Sequence, residues 1–137
     1  MGIYRKEILM QSSGKGTYEI TREVAEGVRE SGLTDGLASV FVRHTSCSLV
    51  LMENADPTAR RDLERFMDEL VPDDYPHFIH TYEGPDDMPG HIKAALLPTS
   101  LQIPIIGGRM SLGTWQGIYV VEHRDAPHTR RVVALLR

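Results

Sequence analysis

Three histidines and three carboxylates fall within one short stretch, HFIHTYEGPDDMPGH at residues 77–91, which has little apolar content of its own. The chain has six histidines in all, so half of them are concentrated here. Imidazole and carboxylate are the side chains that hold divalent metals or move protons near neutral pH. His80 and His91 are separated by ten residues, and Asp87 precedes His91 by four. On a helix already begun at Asp87 the two share a face, so the carboxylate can orient the imidazole or join it as a ligand. A capping aspartate beside a solvated histidine fits the same spacing, and the pattern alone leaves both readings open. A third ligand must come from elsewhere. His44, at the end of a strand-like run, is the candidate, its other role being a hydrogen-bonded edge histidine.

Other combinations carry less. SSGKGT at residues 12–17 contains Gly-Lys-Gly-Thr without the spacing of a phosphate-cradling loop, and it reads as a turn. His44, Ser46 and Asp56 do not make a serine hydrolase, because no nucleophile elbow surrounds the serine. Asn54 and Asp56 lie where a strand enters a helix N-terminus, a place that attracts anions, although a capping Asp56 uses part of that capacity. On a strand through residues 115–123, Gln116, Ile118, Val120 and Glu122 share one face. Gln116 and Glu122 are then about 20 Å apart, too far to grip one small ligand within a single chain. A simple hairpin separates His44 from Asn54 in the same way. The polar groups therefore serve separate sites or meet across an oligomer interface.

These residues need elements to position them. IYRKEILM and GTYEI read as two strands joined through QSSGKG as an opening hairpin. Thr21 is placed to cap a helix running to about residue 31, with Val24 and Val28 inward and Gly32 as its stop. GLASVFVRH and CSLVLMEN read as strands pairing through Thr45-Ser46. Asp56-Pro57 opens a helix over residues 57–70, with Leu63, Phe66, Met67 and Leu70 at helical spacing. Pro89 lies in the first turn of a third helix whose apolar face is Ile92, Ala95 and Leu96. SLQIPII, TWQGIYVVEH and RRVVALLR complete the strands. The order lacks the regular alternation of a doubly wound sheet, which leaves a single α+β domain over residues 1–137 with a mostly antiparallel sheet.

A chain of 137 residues buries roughly 68% of its unfolded surface, enough for a core without metal or disulfide staples. Cys47 is the only cysteine and reads as a small half-buried residue, so no intrachain disulfide forms. A reducing, cytoplasmic setting is expected, with no signal-like or membrane-spanning run. A net charge of −4 provides no basic field for nucleic acid. Neither nucleic acid nor membrane is an expected partner.

Three segments, HTSCSLVLMENADPTARRDLERF, HTYEGPDDMPGHIKAALLPTSLQIPI and GRMSLGTWQGIYVVEHR, together resemble the YjbQ-like family. The ordered series His-Thr-Ser, Asn-x-Asp-Pro, Asp-Asp-x-Pro-x-His and Gly-Thr-Trp-Gln carries the likeness across nearly the whole chain. The resemblance implies a homotrimer, a pocket for a divalent metal and a thiamine-phosphate synthase activity of a secondary kind. By position it makes His44, His80 and His91 the metal-binding imidazoles. Glu83, Asp86, Asp87, Gln116 and Glu122 become catalytic or surrounding polar groups, and Asn54, Arg109 and Thr114 substrate-binding ones. His77 and His128 match no motif position, His123 is at most a support for the pocket, and Cys47 has no role in chemistry.

The reaction so implied is attack by a thiazole phosphate nitrogen on the methylene of a hydroxymethylpyrimidine diphosphate, with release of pyrophosphate. Zinc suits the imidazoles, while magnesium or manganese suits carboxylates joined by phosphate. The alternatives are a metal-dependent hydrolase of a small phosphorylated metabolite and a trimeric metabolite- or metal-binding protein without turnover.

Overall fold

The chain forms two antiparallel sheets in the computed structural model, which describes residues 2–137; burial alternates along the main strands of the larger sheet, whereas the central strand of the smaller is buried on both faces. The strands are β1 (Tyr4–Gln11), β2 (Gly16–Glu19), β3 (Gly36–Val42), β4 (Cys47–Glu53), β5 (Ser100–Ile106), β6 (Arg109–Met110), β7 (Gln116–Glu122) and β8 (Thr129–Leu136). The helices are α1 (Thr21–Ser31), α2 (Pro57–Leu70) and α3 (Asp87–Leu96). One sheet has the order β1-β8-β3-β5-β6 and the other β2-β7-β4. The α+β expectation holds, as two sheets rather than one.

Neither expected hairpin forms. β1 pairs with β8 and β2 with β7, so QSSGKG carries the chain from one sheet to the other. β3 and β4 are likewise split, β3 lying between β8 and β5 while β4 pairs with β7. Thr45-Ser46 is thus a second corner between layers. Gly14 makes the first corner feasible: its φ is +116°, and a Cβ there would sit 2.7 Å from the Asp125 carbonyl oxygen.

The main core lies between the sheets and under α1. Ile8, Val40, Val132 and Ala134 of the larger sheet meet Leu49, Ile118 and Val120 of the smaller, with Val24 and Val28 of α1 added as expected. The opposite face of β7 packs Tyr119 and Val121 with Val50 and Leu63 of α2.

The helix ends are partly as read. Asp56 caps α2, its carboxylate accepting the Thr58 N–H at 2.9 Å, and Gly32 stops α1 with φ +71°. Thr21 does not cap α1. It lies inside the helix, donates its hydroxyl proton to Glu19 and accepts the Ile118 N–H, while Ile20 takes the cap position. On α2 only Met67 is buried, and Phe66 and Leu70 face solvent. On α3 the buried residues are Asp87, Pro89, Gly90, Lys93 and Ala94, not the expected Ile92, Ala95 and Leu96. Two ionic side chains turn inward there because each has a partner, Lys93 on Asp68 at 2.5 Å and Asp87 on Arg124 at 2.8 Å. Cys47 is wholly buried, and burial pushes its thiol up to about 12. No helix among the described residues is long and apolar enough to cross a membrane.

Candidate metal centre

Residues 71–86 form no helix or strand, and they deliver His80 to the start of α3. Asp87 opens that helix and His91 follows one turn later, so both side chains project to the same side, as the spacing predicts. His80 Nε2 and His91 Nε2 each lie 3.1 Å from Asp87 Oδ2. The two imidazole rings are 5.3 Å apart, and one donor atom from each of the three residues falls within 4.8 Å of the others.

The proton arrangement tests whether a cation fits. His91 Nδ1 is 2.8 Å from the Thr45 carbonyl oxygen, which can only accept, so Nδ1 carries a proton. In the neutral ring Nε2 is then a bare lone pair aimed at a carboxylate oxygen. Two acceptors at 3.1 Å repel unless a positive charge stands with them. A divalent metal meets that requirement, and the Thr45 contact is the partner that fixes a ligating histidine's tautomer.

Asp87 is 1% exposed, and its other oxygen, Oδ1, accepts from Arg124 Nη1 at 2.8 Å. Arg124 Nε donates to Asp86 Oδ2 at 3.0 Å and Nη2 to the Glu83 carbonyl at 3.0 Å. Burial alone would raise the Asp86 carboxyl, but the Asp125 N–H and Arg124 outweigh it and hold it below the usual carboxylate range. Glu83 itself is exposed and enters this network only through its backbone.

A cavity of about 700 Å³ opens beside the cluster, lined by His44, Thr45, His80, Met88, His91 and Thr99 among others, with no lysine or arginine. His44 therefore shares the space with the other two histidines, as expected. Its Nε2, however, accepts the Arg131 N–H at 2.7 Å, which leaves the proton on Nδ1. Burial, with Arg130 nearby, lowers its pKa and keeps it neutral. The residues whose donor atoms lie close enough together to hold an ion are accordingly His80, Asp87 and His91, while the His44 Nε2 is taken up by the Arg131 N–H.

The remaining expected residues lie elsewhere. Asn54 meets Gln116 at the far end of β7, its Nδ2 donating to the Gln116 carbonyl at 3.4 Å. Gln116 Oε1 accepts from Gly113 N at 2.8 Å. Thr114 is in the adjoining turn and Arg109 on the edge strand β6, both exposed. The register, Cys47 opposite Glu122 and Glu53 opposite Gln116, puts these groups about 20 Å along the strand from the His44 end. One chain does not join them.

Glu122 is not open to a ligand. It is 2% exposed and paired with Arg130, whose Nε approaches Oε1 at 2.8 Å, and it accepts from the Ser12 hydroxyl at 2.7 Å. Burial would raise its carboxyl, but Arg130 and Ser12 hold it low. His123 packs on Ser48 at the floor of a second cavity of about 530 Å³, whose Lys15, Lys93 and Asp68 are already paired with one another. His77 stacks edgewise on Tyr75, and His128 Nδ1 donates to the Ala126 carbonyl, so neither joins the metal cluster. Sequence reasoning missed Arg124 and the Thr45 carbonyl. Arg124 was within a quoted motif, but its partners lie about forty residues upstream; a backbone carbonyl leaves no trace in residue type.

The family model described as UPF0047 protein YjbQ-like matches residues 6–136. A UPF0047 protein of Synechocystis is 45% identical over 95% of this chain and 88% of its own length. A crystal structure of a YjbQ/UPF0047 family protein from Clostridium acetobutylicum is 40% identical with a TM-score of 0.86, covering 94% of this chain and 98% of that one. A YbjQ-like protein of unknown function from Sulfolobus solfataricus shares the fold with a TM-score of 0.90 at 22% identity, over 98% of this chain and 96% of that one.

Proposed function

The chain belongs to the UPF0047 YjbQ-like family, and we propose that it is a metal-assisted transferase of the thiamine-phosphate synthase kind, with His80, Asp87 and His91 holding a divalent ion, zinc by preference. The observation that carries the reading is the convergence of the His80 and His91 Nε2 atoms on one Asp87 carboxylate oxygen, 3.1 Å from each. When bound, the ion would supply Lewis-acid stabilisation of negative charge on a departing phosphate. Magnesium or manganese takes zinc's place if phosphate oxygens join the carboxylate.

The chain's own groups divide the remaining work. Thr45 holds His91 in the ligating tautomer, and Arg124 neutralises Asp86 and Asp87. His44, protonated at Nδ1, offers a hydrogen-bond donor to a substrate oxygen in the cavity it lines. The C–N bond forms from the thiazole nitrogen to the pyrimidine methylene as the C–O bond to pyrophosphate breaks, so no oxidant is needed. No cation lines the cavity, so Arg109, with Asn54, Thr114 and Gln116, reaches the phosphates from a neighbouring subunit of a homotrimer. Two features support that assembly. The separation of the two polar groups along β7 is one. The other is the outer face of the larger sheet, where Leu9, Phe41 and Leu135 are 61%, 47% and 38% exposed.

One observation favours a second reading. Two imidazoles and a carboxylate with open coordination positions also suit activation of water, which makes a hydrolase of small phosphate esters the runner-up. The two pyrimidine and thiazole precursors, incubated with the metal-loaded protein, should give thiamine phosphate, and a His80→Ala/His91→Ala variant of unchanged assembly should not. Release of phosphate without coupling selects the hydrolase. Metal binding with no turnover of either kind leaves a binding protein and refutes both enzymes.

A further inference from the structure

We infer that Arg124 is the positioning residue of the metal centre: by holding Asp87 through Oδ1 it makes that carboxylate present Oδ2 alone to the ion. The inference rests on the metal reading above and concerns how the ligand is held. Three donor nitrogens of one guanidinium are used on three residues at the entrance to α3: Nη1 on Asp87 Oδ1 at 2.8 Å, Nε on Asp86 Oδ2 at 3.0 Å and Nη2 on the Glu83 carbonyl at 3.0 Å. The Arg124 side chain is only 14% exposed, and its stem passes beside Gly90, where an added Cβ would lie 3.5 Å from Cδ. Its own N–H is anchored on Glu122 Oε2 at 3.2 Å, and the next N–H, of Asp125, shares Asp86 Oδ2 at 2.8 Å.

The geometry explains why this is an arginine. A planar fork with fixed N–H directions can engage two adjacent carboxylates and a carbonyl together, whereas an ammonium supplies one point charge. Asp86 and Asp87 are consecutive and both nearly buried, 7% and 1% exposed, so without a shared cation they repel. An unrestrained Asp87 can also turn both oxygens to the metal. With Oδ1 committed to Arg124, only Oδ2 faces His80 and His91. Held this way, Asp87 would offer a bound metal a single oxygen, leaving more coordination positions for substrate.

Cobalt(II) is the probe, because its visible absorption is strong at low coordination number and weak when further oxygens enter. The purified full chain should bind cobalt with an intense visible band. Arg124→Gln should bind it about 10- to 100-fold more weakly and with a weaker band, at unchanged circular dichroism and oligomeric state. Arg124→Lys, which keeps a charge beside Asp86 but not the fork, should fold and show the same losses; it decides the matter if Arg124→Gln fails to fold. Wild-type affinity and spectrum in either folded variant overturns the positioning role while leaving the metal reading intact. No cobalt bound by the wild type overturns both.

Discussion

Acid should weaken this fold well above the pH at which carboxylates titrate, and His123 should account for a measurable part of the loss. The ring is 3% exposed, with Nε2 2.9 Å from Ser48 Oγ. Burial first, and the nearby Lys93 second, push its pKa from 6.5 down to about 3. Unfolded, the same imidazole titrates near ~6.5. Between those values the unfolded chain holds a proton that the folded chain excludes, so stability rises with pH across the window and falls as pH drops through it. One such group costs about 2 kcal/mol between pH 7 and pH 5, from roughly 1.4 kcal/mol per unit once the unfolded ring is protonated. Glu122 and Asp86, held low, lose their contribution only as pH falls below the ordinary carboxylate range, so they are nearly silent in this window. His44, also lowered, has the same sign as His123 but is present in both proteins and cancels in the comparison. The assay is urea unfolding of the wild type and His123→Gln at pH 7 and pH 5, with chelator present and chain concentration fixed. The glutamine variant should be less stable at pH 7 and lose about 2 kcal/mol less on acidification. Equal losses in both proteins would refute the argument that His123 is buried uncharged.

His80→Ala and His91→Ala should each weaken zinc binding at least ~10-fold, whereas His77→Ala and His128→Ala should leave it unchanged, as titration calorimetry on folded protein can decide; four equal affinities would make residues 77–91 an acidic turn with incidental histidines. If the Gln116 group completes a pocket across subunits, exchanging inactive His91→Ala chains with inactive Gln116→Ala chains should restore part of the transferase activity in hybrid trimers. Full exchange without recovery would place the two groups in separate sites.

Helix α2 was legible because Asp56-Pro57 is a local signal, one residue accepting the first free N–H and the next unable to donate one. Asp87 and His91 were legible for a similar reason, since their contact depends only on one helical turn. The partners of β1 and β3 were not. Alternation tells which side of a strand is buried, and in a two-sheet sandwich that side is the same whichever sheet the strand joins. A Ser- and Gly-rich segment such as QSSGKG looks alike as a hairpin or as a corner. The buried face of α3 was hidden because hydrophobicity cannot register that Lys93 and Asp87 lose their cost on meeting Asp68 and Arg124. Glu122 misled in the converse way: a carboxylate on a strand facing the same side as Gln116 reads as a site residue until Arg130 is seen against it.

The strand order also sets a timetable. β8, last in chain order, lies between β1 and β3 in the larger sheet, and β7 separates β2 from β4 in the smaller. Both sheets therefore stay open, with their early strands unpaired, until the final quarter of the chain has been made. His80, Asp87 and His91 emerge during that interval, ahead of Arg124. A newly made chain thus displays metal-seeking side chains on an unfolded segment before the scaffold exists to shape them. Folding dominated by such distant pairings is slow, so the early strands wait for partners that are made last.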